Sequence, residues 1–138
     1  RAAPIANAFR SGLDHIRPVA EPETIATAIR IGSPVNWKRA LAAARQSGGL
    51  IETVTDREIL EAQRALAGQE GIFIEPASAS SIAGVGKLVN EGFIKADEEV
   101  VCIATGHGLK DQEAVTFQAE TRIKVRPARE SVMAALGL

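Results

Sequence analysis

The sequence predicts an α/β protein with a mainly parallel sheet flanked by helices, and three features carry that expectation. Short apolar runs at 50–54, 72–75 and 100–104 alternate with stretches of helical length and helical apolar spacing. Gly48-Gly49, Gly71 and Gly92 punctuate the boundaries between them. The run Val100-Val101-Cys102-Ile103-Ala104 is too apolar to alternate, so it is expected to be a strand buried on both faces.

Each element follows from local chemistry. Pro22 and Glu23 suit the first turn of a helix, Ile25, Ala28 and Ile29 share one face of it, and Gly32 ends it. Ser33-Pro34 opens a second helix over roughly 35–46, with Trp37, Leu41 and Ala44 at helical spacing. The first strand, Leu50-Ile51-Glu52-Thr53-Val54, hands over to Thr55-Asp56-Arg57-Glu58. That segment is a capping box, in which Thr55 and Glu58 satisfy each other's exposed amides. The third helix carries Ile59, Leu60, Ala62 and Leu66 as its apolar stripe and stops at Gly71.

A second strand, Ile72-Phe73-Ile74-Glu75, is closed by Pro76. Ser78 or Ser80 is expected to cap the next helix, which carries Ile82, Val85, Leu88 and Val89 and ends at Gly92. The third strand follows, then a helix from Asp111 to about Ala119 and a short extended piece, Arg122-Ile123-Lys124-Val125. After Pro127 a terminal amphipathic helix starts near Ala128.

Bulk properties exclude several function classes. At 138 residues the chain supports one packed core. Sixteen basic against 17 acidic residues, a net charge of −1, leave no footprint for nucleic acid or an anionic membrane. Apolar runs fall well short of the ~18–20 residues that span a bilayer, so a cytoplasmic location is expected. The single cysteine, Cys102, reads as a small core residue. His15 and His107 have no second imidazole or thiol at ligand spacing, so no metal site is expected. There is no Gly-x-Ser-x-Gly elbow and no Gly-Lys-Ser/Thr phosphate loop, which removes the basis for hydrolase and nucleotide-triphosphate readings. With no methionine and no strand at its start, the chain is expected to begin inside a larger domain.

Candidate ligand sites lie at carboxyl ends of the expected strands, where open α/β sheets bind small molecules. Thr53-Val54-Thr55 is explained by capping alone. Glu75-Pro76-Ala77-Ser78-Ala79-Ser80-Ser81 places a carboxylate and small hydroxyls around the free amides of a helix start. Taken singly it is a plain cap, just as Thr105-Gly106-His107-Gly108 taken singly is a tight turn. Lys110, beside that turn, reads as an exposed charge. Together the two loops point to a shared crevice.

Three segments also carry a family resemblance. Pro22-Glu23-Thr24-Ile25-Ala26-Thr27-Ala28-Ile29-Arg30-Ile31-Gly32, Glu75-Pro76-Ala77-Ser78-Ala79 and Thr105-Gly106-His107-Gly108-Leu109-Lys110-Asp111, in this order, resemble the carboxyl-terminal part of the threonine synthase family. The resemblance implies a partial large domain of the fold-type II (tryptophan synthase β-like) enzymes, with pyridoxal 5'-phosphate as cofactor. It implies conversion of O-phospho-L-homoserine and water to L-threonine and phosphate. It also places the Thr105 hydroxyl on the cofactor's pyridine nitrogen, Glu75 near the ring, Ala28 at its border and Gly106 where backbone passes beside it.

A neutral hydroxyl donates to that nitrogen without protonating it, which leaves the ring a weaker electron sink. The same resemblance puts the Schiff-base lysine and the cofactor-phosphate loop upstream, outside this chain. The segment would then be inactive alone, partnered by the amino-terminal part of the same enzyme and forming a homodimer. No role for His107 carries over. Two alternatives stand beside this reading: a threonine dehydratase-like segment, and a stand-alone module of the same fold holding a small anion without chemistry. Thr105-Gly106-His107-Gly108 favours the synthase, because dehydratases usually resemble Ser-Gly-Gly-Asn there.

Overall fold

A computed structural model describes residues 2–111 and 123–138. Within them the chain forms five α-helices: α1 (Pro4–Arg10), α2 (Trp37–Gln46), α3 (Asp56–Glu70), α4 (Pro76–Asn90) and α5 (Arg129–Ala135). Two short 3-10 turns, Thr27–Ile29 and Gly108–Lys110, complete the regular structure.

The capping box forms as its residues dictate. Thr55 Oγ1 accepts from the Glu58 amide at 3.2 Å, and Glu58 Oε2 accepts from the Thr55 amide at 2.6 Å. That amide, first among several donors, pulls the Glu58 carboxyl below its ordinary acidity range. At the other end Gly71 takes φ 68°, a left-handed conformation natural to glycine, and its amide closes on the Ala67 carbonyl at 3.2 Å. Helix α3 thus runs between the start and the stop that its own residues predict. Helix α2 starts at Trp37 rather than near Val35, because Pro34–Trp37 forms a turn and leaves Val35 exposed.

Helix α4 departs from expectation at its start. Pro76 occupies the first turn and Glu75 is the cap residue, without a side-chain capping bond. Ser78 and Ser80 lie inside the helix, where Ser80 bonds back to the Ala77 carbonyl at 2.6 Å. Neither is a cap. The helix expected over 22–32 is reduced to Thr27–Ile29. Its threonines bond elsewhere: Thr24 Oγ1 accepts from the Ala26 amide at 3.2 Å and donates to Asp56 at 2.6 Å. Such local side-chain bonds compete with the helical ladder. Helix α1, unanticipated, buries Pro4, Ala6 and Ala8.

No strand ladder forms among the described residues. One isolated antiparallel bridge, Ile74 with His107, ties the second apolar run to the loop that follows the third. The run expected to be buried on both faces is largely open, with Val101 89% and Ile103 74% exposed, and Cys102 is half-buried rather than a core residue. A strand needs a neighbour to take up its amides and carbonyls, and these residues supply only fragments of one. Residues 123–125 of the expected extended piece have no regular structure, and the helix expected to follow Asp111 lies outside the described residues. The terminal helix is present as α5.

Two small cores hold the rest. Ala26, Ile59, Ile74 and Ala79 join the Thr27–Ile29 turn to α3 and α4, with Ile25, Val54, Leu66 and Ile82 packed around them. Gln63 spans this core from α3 and donates to the Ile74 carbonyl at 2.6 Å, so the residue before Glu75 is fixed from below. Ala8, Ile16 and Leu41 make the second core between α1 and α2.

Candidate functional site

The start of α4 and the loop after residue 104 meet as the sequence anticipates. The Glu75 amide donates to the Gly106 carbonyl at 2.9 Å, and the Gly108 amide to the Phe73 carbonyl at 3.1 Å. These two backbone bonds clamp Thr105–Gly108 against 73–75. Both glycines lie in close approach to 73–75, and the Glu75 carboxylate facing Gly106 is the more easily displaced of the two neighbours. A Cβ on Gly106 would run into the Glu75 carboxylate, and one on Gly108 into the Phe73 ring.

Side chains complete the constellation. Ser78 is 1% exposed, and its Oγ accepts from the Gly106 amide at 2.8 Å and lies 2.9 Å from Thr105 Oγ1. Thr105 itself is exposed, so its hydroxyl is held from behind and open in front. Glu75 is 6% exposed, and Lys110 approaches its Oε2 at 3.9 Å. Lys110 is therefore the ion-pair partner of a buried carboxylate as well as an exposed charge. His107 caps the Gly108–Lys110 turn, its Nδ1 accepting from the Leu109 amide at 3.1 Å, and stacks edge-on against Phe73.

Thr105, Gly106 and Glu75 are thus brought together. Ala28 joins them only indirectly: it sits exposed in the Thr27–Ile29 turn, which Thr27 ties to Asp111 further along the same loop. Sequence reasoning missed Ser78, which read as a cap. The signal was its place two residues past Pro76, on the first turn that faces the loop.

A separate hollow lies elsewhere. An open groove of about 1320 Å³ runs between α1, residues 50–55 and α4, without Thr105 or Glu75 in its lining. Arg10, Glu52 and Lys87 meet there: Arg10 pairs with Glu52, and Lys87 Nζ lies 3.4 Å from the same carboxylate. The Thr53 amide, at 2.6 Å, is the largest influence lowering the Glu52 carboxyl to about 2, against a smaller opposing effect of burial. No local pattern announced this cluster, because its members are far apart in sequence. Among the described residues no group of three His, Cys, Asp or Glu side chains could hold a metal ion. No described helix is long and apolar enough to cross a membrane.

An exposed hydroxyl backed by a buried serine can donate to an acceptor such as a heteroaromatic ring nitrogen. The site offers an exposed neutral hydroxyl at the front and, packed against the two glycines behind it, a buried carboxylate and the Phe73 ring. Residues 1–106 match the family described as pyridoxal-phosphate dependent enzyme. Threonine synthase of Methanocaldococcus jannaschii is 60% identical over 124 residues, covering 90% of this chain and 31% of that protein. Threonine synthase of a Synechocystis species is 48% identical over 123 residues, covering 88% of this chain and 32% of that protein. The chain therefore spans about a third of the length of these curated relatives. Among solved structures, a threonine deaminase from T.th. shares the fold with a TM-score of 0.51 at 24% identity, over 67% of this chain and 31% of that one.

Proposed function

The chain belongs to the pyridoxal-phosphate dependent enzyme family, and we propose that it is the part of a threonine synthase that forms the pyridine-nitrogen side of the cofactor site. The observation that carries this reading is the Thr105 hydroxyl, held by Ser78 against a loop that two glycines press onto residues 73–75. When bound, the cofactor supplies an electron sink for a carbanion on the substrate.

This chain's own residues then orient and tune. Thr105 Oγ1 donates a hydrogen bond to the ring nitrogen without giving up its proton, which limits the charge the ring can draw. Glu75, already bonded through its amide to the loop, would lie near the ring, and Gly106 would let backbone pass beside it. Ala28 borders the ring from the Thr27–Ile29 turn. The remaining two-thirds of the enzyme supplies the Schiff-base lysine, the cofactor-phosphate loop and most contacts to O-phospho-L-homoserine. It also supplies neighbours for the open Val100–Ile103 run, completing a mainly parallel sheet, and the assembled enzyme is a homodimer.

The test is complementation. Co-expressed with the amino-terminal two-thirds of the Methanocaldococcus jannaschii threonine synthase, this chain is expected to restore release of L-threonine and phosphate from O-phospho-L-homoserine. A folded complex that binds the cofactor but forms no threonine would sink the synthase reading. 2-Oxobutanoate from threonine would support the dehydratase-like one instead.

A further inference from the structure

Ser78 is buried, polar and placed behind the hydroxyl that faces the ring, yet neither the family match nor the motif resemblance gives it a task. Its Oγ has one proton to donate and two possible acceptors: Thr105 Oγ1 at 2.9 Å and the Gly106 carbonyl at 3.4 Å. The Gly106 carbonyl already accepts from the Glu75 amide at 2.9 Å, and 3.4 Å is long for a hydroxyl donor. Meanwhile the Gly106 amide fills one Ser78 lone pair at 2.8 Å. The shorter, better bond for the Ser78 proton is the one to Thr105.

That choice fixes a direction along the chain of groups. With Ser78 donating, Thr105 Oγ1 is an acceptor on its inner side, and its own proton is left to point outward. If Thr105 donated to Ser78 instead, it would present lone pairs to the ring and favour a protonated nitrogen. We infer that Ser78 is a positioning residue that sets the polarity of the Thr105 hydroxyl, so that Thr105 donates to an unprotonated pyridine nitrogen. The inference rests on the placement of Thr105 proposed above. Its bonds run from the Gly106 amide to Ser78, from Ser78 to Thr105, and from Thr105 to the ring, each donor spent once.

The test uses the reconstituted holoenzyme, with pyridoxal phosphate isotope-labelled at its ring nitrogen and read by NMR alongside its visible absorbance. Ser78→Ala is expected to weaken cofactor affinity roughly three- to tenfold, the scale of one hydrogen bond, and to leave the nitrogen protonated to higher pH. Thr105→Ala should do the same, and Ser78→Ala added to Thr105→Ala should change nothing more, because Ser78 acts only through Thr105. Ser78→Cys, close in size and a weak donor, should lie between Ser78→Ala and the parent, and it decides the matter should Ser78→Ala misfold.

Additive effects, or a Ser78→Cys enzyme with the parent's nitrogen signal, would overturn the inference. So would a Ser78→Ala enzyme with an unchanged nitrogen signal where Thr105→Ala shifts it, and that result would leave the proposed function standing. No shift in Thr105→Ala itself would overturn both.

Discussion

The Thr27 hydroxyl donates to Asp111 Oδ2 at 2.6 Å across 84 residues of sequence, and the Thr27 amide points to the same oxygen at 3.4 Å. Asp111 is buried, so these donors do more than decorate the surface. They hold the turn bearing Ala28 to the loop bearing Thr105. Replacing Thr27 with Val keeps the shape and removes the hydroxyl, leaving a buried carboxylate short of its best donor. The expected cost is about 1.5–3 kcal/mol, and Thr27→Ser should recover most of it. Urea unfolding of the parent and both variants measures it, and equal midpoints for Thr27→Val and the parent would show that the bond holds nothing in place.

The Thr55–Glu58 box makes a sharper local forecast. Thr55→Ala removes the acceptor of the Glu58 amide and is expected to cost about 1 kcal/mol, whereas Thr55→Ser should stay within a few tenths. The Glu58 carboxyl is held below its ordinary range chiefly by the Thr55 amide. Alanine keeps that amide but loses the Thr55 hydroxyl, which donates to Glu58 Oε2 at 2.7 Å and is the next influence holding the carboxyl down. The hydroxyl's share is present above the ordinary carboxylate range and fades as acid protonates Glu58, so the parent's advantage over Thr55→Ala should narrow in acid. Denaturant midpoints at neutral and acid pH decide it.

How legible these features were depends on the range of the forces behind them. Helix α3 could be read outright because its start, stripe and stop are all written within it, in Thr55, Glu58, Leu66 and Gly71. The 22–32 segment shows the same apolar period, but Thr24 and Thr27 are claimed by Asp56 and Asp111, partners that no local pattern reveals. The Val100–Ile103 run has strand composition without strand neighbours, so composition alone overstated its burial. Glu75, Thr105 and Gly106 converge as the two loops suggested. Ser78 escaped notice because a serine near a helix start reads as a cap until Pro76 is seen to occupy the first turn.

Gly108 gives a steric test of the loop clamp. A methyl group there would enter the Phe73 ring, and the backbone angle of this glycine poses no obstacle of its own. Gly108→Ala is therefore expected to destabilise by about 1–3 kcal/mol through overpacking alone. Trimming the ring in Phe73→Leu/Gly108→Ala should return part of the loss. If the double variant is no more stable than the two single effects summed, the ring is not the obstacle.

The Glu52 cluster predicts an acid-sensitive joint between α1 and α4. Glu52 accepts from the Thr53 amide and pairs with Arg10 and Lys87, and its carboxyl falls from the ordinary 4.5 to about 2. A carboxyl held below its unfolded value stabilises the fold fully above that value. The contribution is lost as pH falls from about 4.5 towards 2. The parent should therefore lose stability across that window more steeply than Glu52→Gln, which carries no charge to lose. Above pH 4.5 the parent should be the more stable of the two, and the gap should close with added acid. Salt should narrow it as well, since the Arg10 side chain is 48% exposed and its share of the attraction is screened. Parallel urea titrations over this range, with and without salt, provide the measurement. Curves for parent and Glu52→Gln that stay parallel down to pH 2 would mean that Arg10, Lys87 and Thr53 do not hold the carboxylate in solution as they do in the structure.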